Sequence, residues 1–370
     1  TMSRGVFSIF LVFGLFENNM MMKFAVVAAL FTACVVSYPT LDCPALTPTP
    51  RADNVTSLRP SDFKMLFAAG DSITAGFAMN GQPVEYRGLV YSIGAATNAV
   101  SVYNWLRPYT DVLVGGSEEH TLPLSAGGDP ELFLNLQSGK TQLNGAVSGA
   151  KAEDVYHQVN YLAKEGQKKK FSDVDWNNDW KLFTLLIGAN DLCGACYDRP
   201  DETPEAFGQT IESILDQIHD SIPRVAVQVV GLFNISQVWD INKNNVYCRT
   251  VDAVVDECGC LYDSKDTRQK MDEVTQQYNQ VLNGIALDWQ ARNEQNFTVV
   301  YVPAFENSLL PNLDYLSGLD CFHPSEETDQ LMATGIWNSM WTPGPFKPHS
   351  TEPNTTPICP TSDTILYMNT

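Results

Sequence analysis

Short apolar runs alternate with amphipathic segments along most of the chain. Five of these runs have the length and continuity of strands that are buried on both faces of a sheet. They are residues 64–69, 143–147, 181–187, 225–230 and 297–302. This pattern is typical of parallel strands, whose two faces are both covered by helices.

Helical periodicity separates most of the runs. Val155, Val159 and Leu162 fall on one helix face after the second run. Thr203-Pro204 follows the third run and is typical of an N-cap followed by a first-turn proline. A longer apolar face extends over residues 271–285, and we expect a short helix around residues 100–106. The alternation predicts an α/β fold with a five-stranded, mainly parallel sheet.

The two ends of the chain differ from this alternating middle. Residues 1–37 contain two apolar runs, and the second has the length and small-residue ending of a signal peptide, so we expect a leader cleaved near Ser37. Neither run has the ~20 apolar residues of a membrane span. Residues 38–62 and 343–370 are rich in proline and are predicted to be extended, which leaves one domain at 63–342. We expect no stable membrane anchor.

The charge and the sequons narrow the classes of partner. The net charge of −20 argues against nucleic acid and against anionic membranes, because both would repel the chain. Four N-x-S/T motifs follow the leader, and such motifs carry glycans in secretory proteins. They predict a secreted, extracellular protein with N-glycans at Asn54, Asn234, Asn296 and Asn354.

The cysteine count agrees with that compartment. The chain has nine cysteines, and Cys34 belongs to the leader, so the eight others could form four disulfides. Cys193 and Cys196 could suggest zinc in a cytosolic protein, but no histidine is near them in sequence. We therefore expect no metal, and we take Cys193–Cys196 as a possible local disulfide. A disulfide at Cys321 would brace the loop around it.

Unusual polar residues follow four of the predicted strands, where sites form in open parallel sheets. The first run ends in GDSITAG with Ser72, and later ones end in SGA with Gly149, GAND with Asn190, and DCFH with Asp320 and His323. A serine hydroxyl needs a neighbouring base to act as a nucleophile, and His323 oriented by Asp320 would supply it. The backbone N–H groups of Ser72 and Gly149 and the Asn190 side chain would form an oxyanion hole.

Each of these residues has an ordinary structural explanation when it is taken alone. Ser72 could be a helix-cap serine, Gly149 a turn glycine and Asn190 part of an Asx turn. The chain has five histidines, and an isolated histidine is more often structural than catalytic. The order of the residues, with each set after a strand, favours the catalytic interpretation. Asp71 is assigned a structural role by default.

These motifs resemble those of the GDSL, or SGNH, hydrolase family, with Ile73 at the position where the family name has Leu. The resemblance implies a flavodoxin-like, three-layer α/β/α sandwich around five parallel strands. Longer strings are similar to the animal phospholipase B group and extend over roughly residues 60–345. They include LNGAVSGAKAED, DWKLFTLLIGANDLCGAC and DCFHPS.

The resemblance also implies an activity. A carboxylic ester hydrolase of this group would release fatty acids from glycerophospholipids and lysophospholipids at a micelle or membrane surface, by an acyl-serine route without metal or cofactor. Two alternatives remain open at this point. The same chemistry could act on short-chain or carbohydrate esters, or the chain could be a non-catalytic secreted lipid-binding protein.

Overall fold

The computed structural model of the protein describes residues 41–47, 49–123, 130–255 and 257–369. The predicted leader of residues 1–37 lies outside these ranges. The described residues fall in one compact unit, Ser37–Thr370, and the predicted boundaries at residues 62 and 342 stay predictions. Within these ranges no helix combines the length and apolarity that crossing a membrane requires.

Four parallel strands form the central sheet, and their order across the sheet is their order along the chain. Nearly every strand residue is buried, because helices cover both faces. Each strand lies within one residue of its predicted position. The strands are β1 (Phe63–Gly70), β2 (Trp180–Leu186), β3 (Val225–Val230) and β4 (Phe297–Val302).

The predicted fifth strand at residues 143–147 is wrong as a strand, although its place in the sheet is occupied. Leu143, Gly145 and Val147 all make backbone hydrogen bonds to β1, and Asn144 forms an isolated parallel bridge to Ala68. The pairing stops short of a ladder because the Gly70 N–H, which would make the next bond to the segment, donates to the Gln158 side chain instead. The segment therefore extends the sheet beside β1 without forming a regular strand.

Twelve α-helices lie in the described residues, with short 3₁₀ turns between them. The helices predicted around residues 155–162, 203–218 and 271–285 are all present, as α5, α7 and α11. The helices are α1 (Ser72–Ala75), α2 (Val102–Leu106), α3 (Pro130–Leu136), α4 (Ser138–Thr141), α5 (Val155–Gly166), α6 (Ala189–Ala195), α7 (Pro204–Ser221), α8 (Gln237–Asn242), α9 (Val246–Val255), α10 (Gly259–Tyr262), α11 (Lys265–Ala291) and α12 (Glu326–Met340).

The helices form the two outer layers of an α/β/α sandwich. α5 packs on β1 and α7, and α11 packs on α7 and β4. The crossovers that contain these three helices all advance in the same direction across the sheet, so right-handed connections place them on one face. The connection from β1 to residues 143–147 runs the other way and carries α2, against which α12 packs. Trp105 and Trp337 meet edge to face in that second layer.

Four disulfides link the described residues: Cys43–Cys359, Cys193–Cys258, Cys196–Cys260 and Cys248–Cys321. The suggested local pair Cys193–Cys196 is wrong. Both residues lie on one turn at the end of α6, and both bond across to the segment around α10. The eight cysteines that follow the predicted leader are thus all paired, as their even count predicts.

Candidate active site

The site lies at the carboxyl end of β1, which has a different neighbour on each of its two edges. Residues 143–147 pair with one edge of β1 and β2 pairs with the other. Loops that leave the two neighbours in opposite directions open a crevice, which is the usual ligand position in such sheets. The predicted residues Ser72, Gly149 and Asn190 follow these three segments.

Ser72 is held by a short turn between β1 and α1. The Asp71 carboxylate accepts a hydrogen bond from the Ile73 N–H at 2.9 Å and caps α1. Gly70 must lack a side chain, since a Cβ there would lie 2.3 Å from the Leu186 carbonyl oxygen. The structural role assigned to Asp71 by default is therefore visible as an N-cap. The turn directs Ser72 into the crevice at the first position of the helix.

Ser72, His323 and Asp320 form a continuous chain of hydrogen bonds. The His323 Nε2 lies 2.8 Å from the Ser72 Oγ, and its Nδ1 lies 2.8 Å from the Asp320 Oδ2. The other carboxylate oxygen of Asp320 accepts from the backbone N–H groups of Phe322 and His323, both at 3.0 Å. All three side chains are buried. This is the geometry of a serine nucleophile with its base and an orienting carboxylate.

The loop that carries Asp320 and His323 is fixed at several points. Cys321 sits in the left-handed region with a φ of 57° and is bonded to Cys248 on α9. The His323 carbonyl accepts from the Ser317 N–H at 2.7 Å, and the Ser317 hydroxyl donates to the Ala78 carbonyl at 2.7 Å. The expected disulfide at Cys321 is thus present, and Cys321 lies between Asp320 and His323 in the sequence. The disulfide ties the loop that carries both residues to α9.

The structure brings two of the three predicted oxyanion donors, Ser72 and Asn190, to one cavity. Ser72 and Asn190 line one cavity, and the Ser72 N–H has no intrahelical partner because it begins α1. The Asn190 amide donates to the Ala150 carbonyl at 2.8 Å, which leaves its second hydrogen available. Gly149, beside Ala150, does not line the cavity itself. Its φ of 83° and the open space at its Cβ position suit a glycine that leaves its backbone accessible.

A buried polar network supports the Gly149 loop, and the sequence analysis did not assign it a role. The Arg87 guanidinium is fully buried and donates to the Glu85 carboxylate and to the carbonyls of Asn144 and Ala146. The other Glu85 oxygen accepts from the Ser148 hydroxyl at 2.7 Å. The residue immediately before Gly149 is therefore anchored to a buried ion pair. The local sequence around Arg87 did not reveal this role, because the carbonyls that it holds, those of Asn144 and Ala146, are distant in sequence.

Carboxylates surround the imidazole of His323. Burial lowers the pKa of His323, but the hydrogen bond and charge of Asp320, with the charges of Glu257 and Asp71, raise it above its ordinary value. Burial raises the pKa of Asp320, yet its bonds to His323 and the backbone hold it below its usual value. Glu257, Asp320 and His323 place one ligand-type atom each within 4.8 Å of one another. Because both His323 nitrogens are already engaged, we interpret this cluster as acidic surroundings of the base.

Two further buried carboxylates lie close to the site. Burial raises the pKa of Asp71 to about 6 and that of Asp191 to about 7. Asp191 accepts from the Ala152 N–H and so links α6 to the loop after Gly149. Asp191 lies in the GAND motif, but only Asn190 of that motif was assigned a role, and nothing in the local sequence distinguishes Glu257 from a surface acid.

A cavity opens beside Ser72 and contains about 800 Å³ of space, including its open mouth. Apart from the reacting groups, its wall is mostly apolar and comes from the segments after β3 and β4 and from α12. The apolar lining side chains are Ile73, Phe233, Ile235, Val238, Phe305, Leu310, Leu316, Phe322, Leu331 and Met332. Such a wall is suited to hydrocarbon.

The three-layer α/β/α fold and the hydrogen-bonded Ser72, His323 and Asp320 together have the arrangement expected of a serine ester hydrolase. The model of the family described as GDSL-like lipase/acylhydrolase matches residues 66–336, which is more than half of the chain. The chain belongs to the GDSL-like lipase/acylhydrolase family. The family match confirms the resemblance seen in the sequence and the predicted class of carboxylic ester hydrolases.

Curated relatives include the membrane-associated phospholipase B1 proteins of Homo sapiens and Mus musculus. The chain is 29% identical to the human protein over 320 residues, covering 81% of this chain and 20% of the relative. For the mouse protein it is 29% over 331 residues, covering 84% and 21%. The chain thus spans about a fifth of the length of these relatives. This similarity supports the resemblance to the animal phospholipase B group that the sequence motifs indicate.

Similar solved structures include one described as a putative GDSL-like lipase from Parabacteroides merdae. It has 15% sequence identity and a TM-score of 0.38, and the alignment covers 79% of this chain and 97% of that one. An extracellular lipase from Streptomyces rimosus has 16% identity and a TM-score of 0.33, with coverage of 72% and 94%.

Replacing Glu257 by Gln should shift the pH profile of the site. A base acts only when it is neutral, so a raised His323 pKa requires a pH above the usual histidine value for full activity. Removing the negative charge of Glu257 lowers that pKa, and the acidic limb of kcat/KM should move to lower pH. The measurement is kcat/KM against pH on a soluble ester. An unshifted limb would show that Glu257 does not act on His323.

Replacing Ser148 by Ala should impair catalysis without unfolding the protein. The change removes the 2.7 Å hydrogen bond to Glu85 and loosens the peptide that leads to Gly149. Misplacement of a donor by about 1 Å can cost ~10²-fold, so we expect kcat to fall by about tenfold or more, with KM little changed. Ser138→Ala, on the exposed α4, is the matched control. Equal kcat values for all three proteins would contradict the role of this anchor.

Proposed function

We propose that the protein is a serine ester hydrolase of phospholipase B type. It would release fatty acids from glycerophospholipids and lysophospholipids through an acyl-serine intermediate. The observation that carries the proposal is the Ser72 hydroxyl, 2.8 Å from the His323 Nε2, on the wall of a largely apolar cavity. The phospholipase B relatives support the same substrate class.

The proposed reaction has two acyl-transfer steps. In the first, the His323 Nε2 takes the proton of the Ser72 hydroxyl as its oxygen attacks the ester carbonyl. The oxyanion then accepts hydrogen bonds from the N–H groups of Ser72 and Gly149 and from the Asn190 amide. Collapse breaks the ester C–O bond, and His323 returns its proton to the leaving glycerol oxygen.

Water completes the cycle in the second step. His323 takes a proton from water, whose oxygen attacks the acyl-serine carbonyl, and the same donors hold the second oxyanion. Collapse returns the proton to the Ser72 oxygen and releases the fatty acid. Asp320 stabilises the imidazolium in both steps, and its lowered pKa keeps it ionised for that purpose.

The lining of the cavity favours a fatty acyl chain over a carbohydrate. A sugar requires many hydrogen-bonding groups, whereas Phe233, Phe305, Leu310 and their neighbours offer hydrocarbon surface. Each buried methylene of an acyl chain contributes about 0.8 kcal/mol. The unbroken series of hydrogen bonds from Ser72 through His323 to Asp320 weighs against a lipid-binding protein without catalytic activity. Short-chain and carbohydrate esters serve as competing substrates in the test below.

We further propose that the protein is secreted and glycosylated. Four disulfides suit an oxidising compartment. Asn296 and Asn354 are exposed, and Asn54 and Asn234 are half-buried. The two exposed sequons are therefore the more accessible glycan sites.

Replacing Ser72 by Ala should abolish release of fatty acid from phosphatidylcholine and lysophosphatidylcholine. Loss of a serine nucleophile typically costs ~10⁴-fold or more. Product analysis with wild type, Ser72→Ala and the surface control Ser213→Ala is the measurement, with triglyceride and acetylated-sugar substrates alongside. Full activity of Ser72→Ala would contradict the assignment of the nucleophile. A wild type active only on acetylated sugars would overturn the phospholipid assignment.

Expression of the whole chain in eukaryotic cells should place the protein in the medium with N-glycans attached. Endoglycosidase treatment should increase its mobility in gel electrophoresis, and the Asn296→Gln and Asn354→Gln variants should each lose one step of that shift. Retention of an unglycosylated chain inside the cell would count against secretion.

A further inference from the structure

α9 exposes apolar side chains to solvent. Val246 and Val254 are 82% and 81% exposed, and Tyr247 and Val255 are 53% and 50% exposed. A helix on the surface of a globular protein normally turns such residues toward the core and polar ones outward. The orientation is reversed here, so the apolar face of α9 has no partner among the described residues.

The exposed residues form one stripe along the helix. Val246, Thr250 and Val254 are four residues apart, so they lie one above another on the same face. Tyr247 and Ala253 flank them and are also exposed. None of these five side chains carries a charge. In a chain with a net charge of −20, an uncharged strip of this length is unusual for the surface.

The opposite face of α9 holds it against the catalytic loop. Cys248 is buried and bonded to Cys321, which lies between Asp320 and His323. Asp252, one turn later, is also buried and pairs with Arg249 at 3.0 Å. At the edge of the stripe, the Tyr247 hydroxyl donates to the Leu319 carbonyl at 2.7 Å. α9 is therefore fixed in position by covalent and polar contacts.

The stripe belongs to a helix that is bonded to the loop lining the apolar cavity. Phe322 and His323 of the same catalytic loop line that cavity. Glu257, two residues beyond α9, reaches the Asp320–His323 pair. On the cavity wall, Leu309 is 65% exposed beside the lining residue Leu310. α9 and the apolar cavity thus adjoin the same loop.

We propose that the exposed face of α9 docks the protein on the surface of aggregated zwitterionic lipid, such as a phosphatidylcholine vesicle. Val246, Val254 and Tyr247 insert among the outer acyl segments and bring the cavity mouth against the lipid. The inference rests on the proposed function, because lipid hydrolysis is what makes contact between this face and a lipid surface productive.

Charge and area select this occupant. The net charge of −20 repels anionic surfaces, whereas a zwitterionic surface requires no complementary charge from the uncharged stripe. A stable dimer buries roughly 800 Å² per partner, which a few side chains on a ten-residue helix do not provide. A fluid lipid surface, by contrast, needs only a few inserted apolar groups to bind.

The test compares wild type with the double variant Val246→Gln/Val254→Gln. Both substitutions are at exposed helix positions, so the fold should be unchanged. Leu136→Gln is the matched control, since Leu136 is 77% exposed and ends α3 close to Ser138. The position of Ser138 shows that this end of α3 lies away from the site. Its carbonyl accepts a hydrogen bond from Lys170, which precedes β2, whereas the site lies at the carboxyl end of the strands.

Two readouts separate this inference from the proposed function. Co-sedimentation with phosphatidylcholine vesicles measures docking without catalysis, and a monomeric p-nitrophenyl ester measures catalysis without docking. The double variant should bind vesicles about tenfold more weakly, since two valine side chains half-buried in the lipid contribute roughly that factor to the affinity. It should lose a similar factor in vesicle hydrolysis and keep full activity on the monomeric ester. Leu136→Gln should match wild type in all three.

Unchanged vesicle binding in the double variant, or an equal loss in Leu136→Gln, would overturn the docking proposal. So would a concentration-dependent dimer that the double variant abolishes, because the face would then belong to a second copy. If wild type binds vesicles through α9 but releases no fatty acid, the proposed function fails and the docking surface stands. Loss of activity on the monomeric ester would show damage to the site and overturn the inference from this variant.

Discussion

The hydrogen bond between Asp320 and His323 is the interaction on which the site depends. A buried imidazole has no water to orient it, so its two nitrogens must both find protein partners. Asp320 fixes Nδ1 and leaves Nε2 directed at Ser72. The backbone N–H groups that hold Asp320 come from its own loop, and the loop is in turn tied to α9 and to the Ala78 carbonyl. Positioning of one ring thus requires order in several distant segments.

The carboxylates around His323 have two opposing effects on this residue. Negative groups around a histidine favour its protonated form, which opposes its action as a base but stabilises the imidazolium that forms during acyl transfer. Asp320 is ionised, whereas burial raises the pKa of Asp71 to about 6 and that of Glu257 above its usual value. The local field is therefore weaker at mildly acidic pH than the count of carboxylates suggests.

Much of the fold was predictable because its signals are local. Four buried strands show as continuous apolar runs, and the longer amphipathic helices show the expected 3.6-residue period. The Thr203-Pro204 cap begins α7 as its residue types indicate. The helix α12 was missed because nearly every residue from Thr328 to Met340 is buried. Such a helix has no polar face and so shows no 3.6-residue period. Residues 143–147 failed as a strand for a different reason, because the Gln158 side chain on α5 accepts from the Gly70 N–H that would continue the pairing.

The candidate site divides along the same line. Ser72, Gly149, Asn190, Asp320 and His323 could be proposed because each follows a strand, and parallel topology brings strand ends together. Arg87, Glu257 and the disulfide pairs could not, since their partners are set by tertiary packing across long stretches of chain. Cys193 and Cys196 show the difference. Their spacing suggests a local bond, but both side chains leave the same helix end toward α10.

One contact beside the nucleophile links a helix of the outer layer directly to the central sheet. The buried Gln158 amide on α5 accepts from the Gly70 N–H at 2.9 Å and donates to the Gly70 carbonyl at 2.8 Å. A side chain here takes the place of a neighbouring strand, two residues before Ser72. A displacement of α5 would consequently be transmitted through these two hydrogen bonds to Gly70 and on to Ser72. Substitutions on the far side of α5 that shift this helix are therefore expected to change the position of the Ser72 hydroxyl.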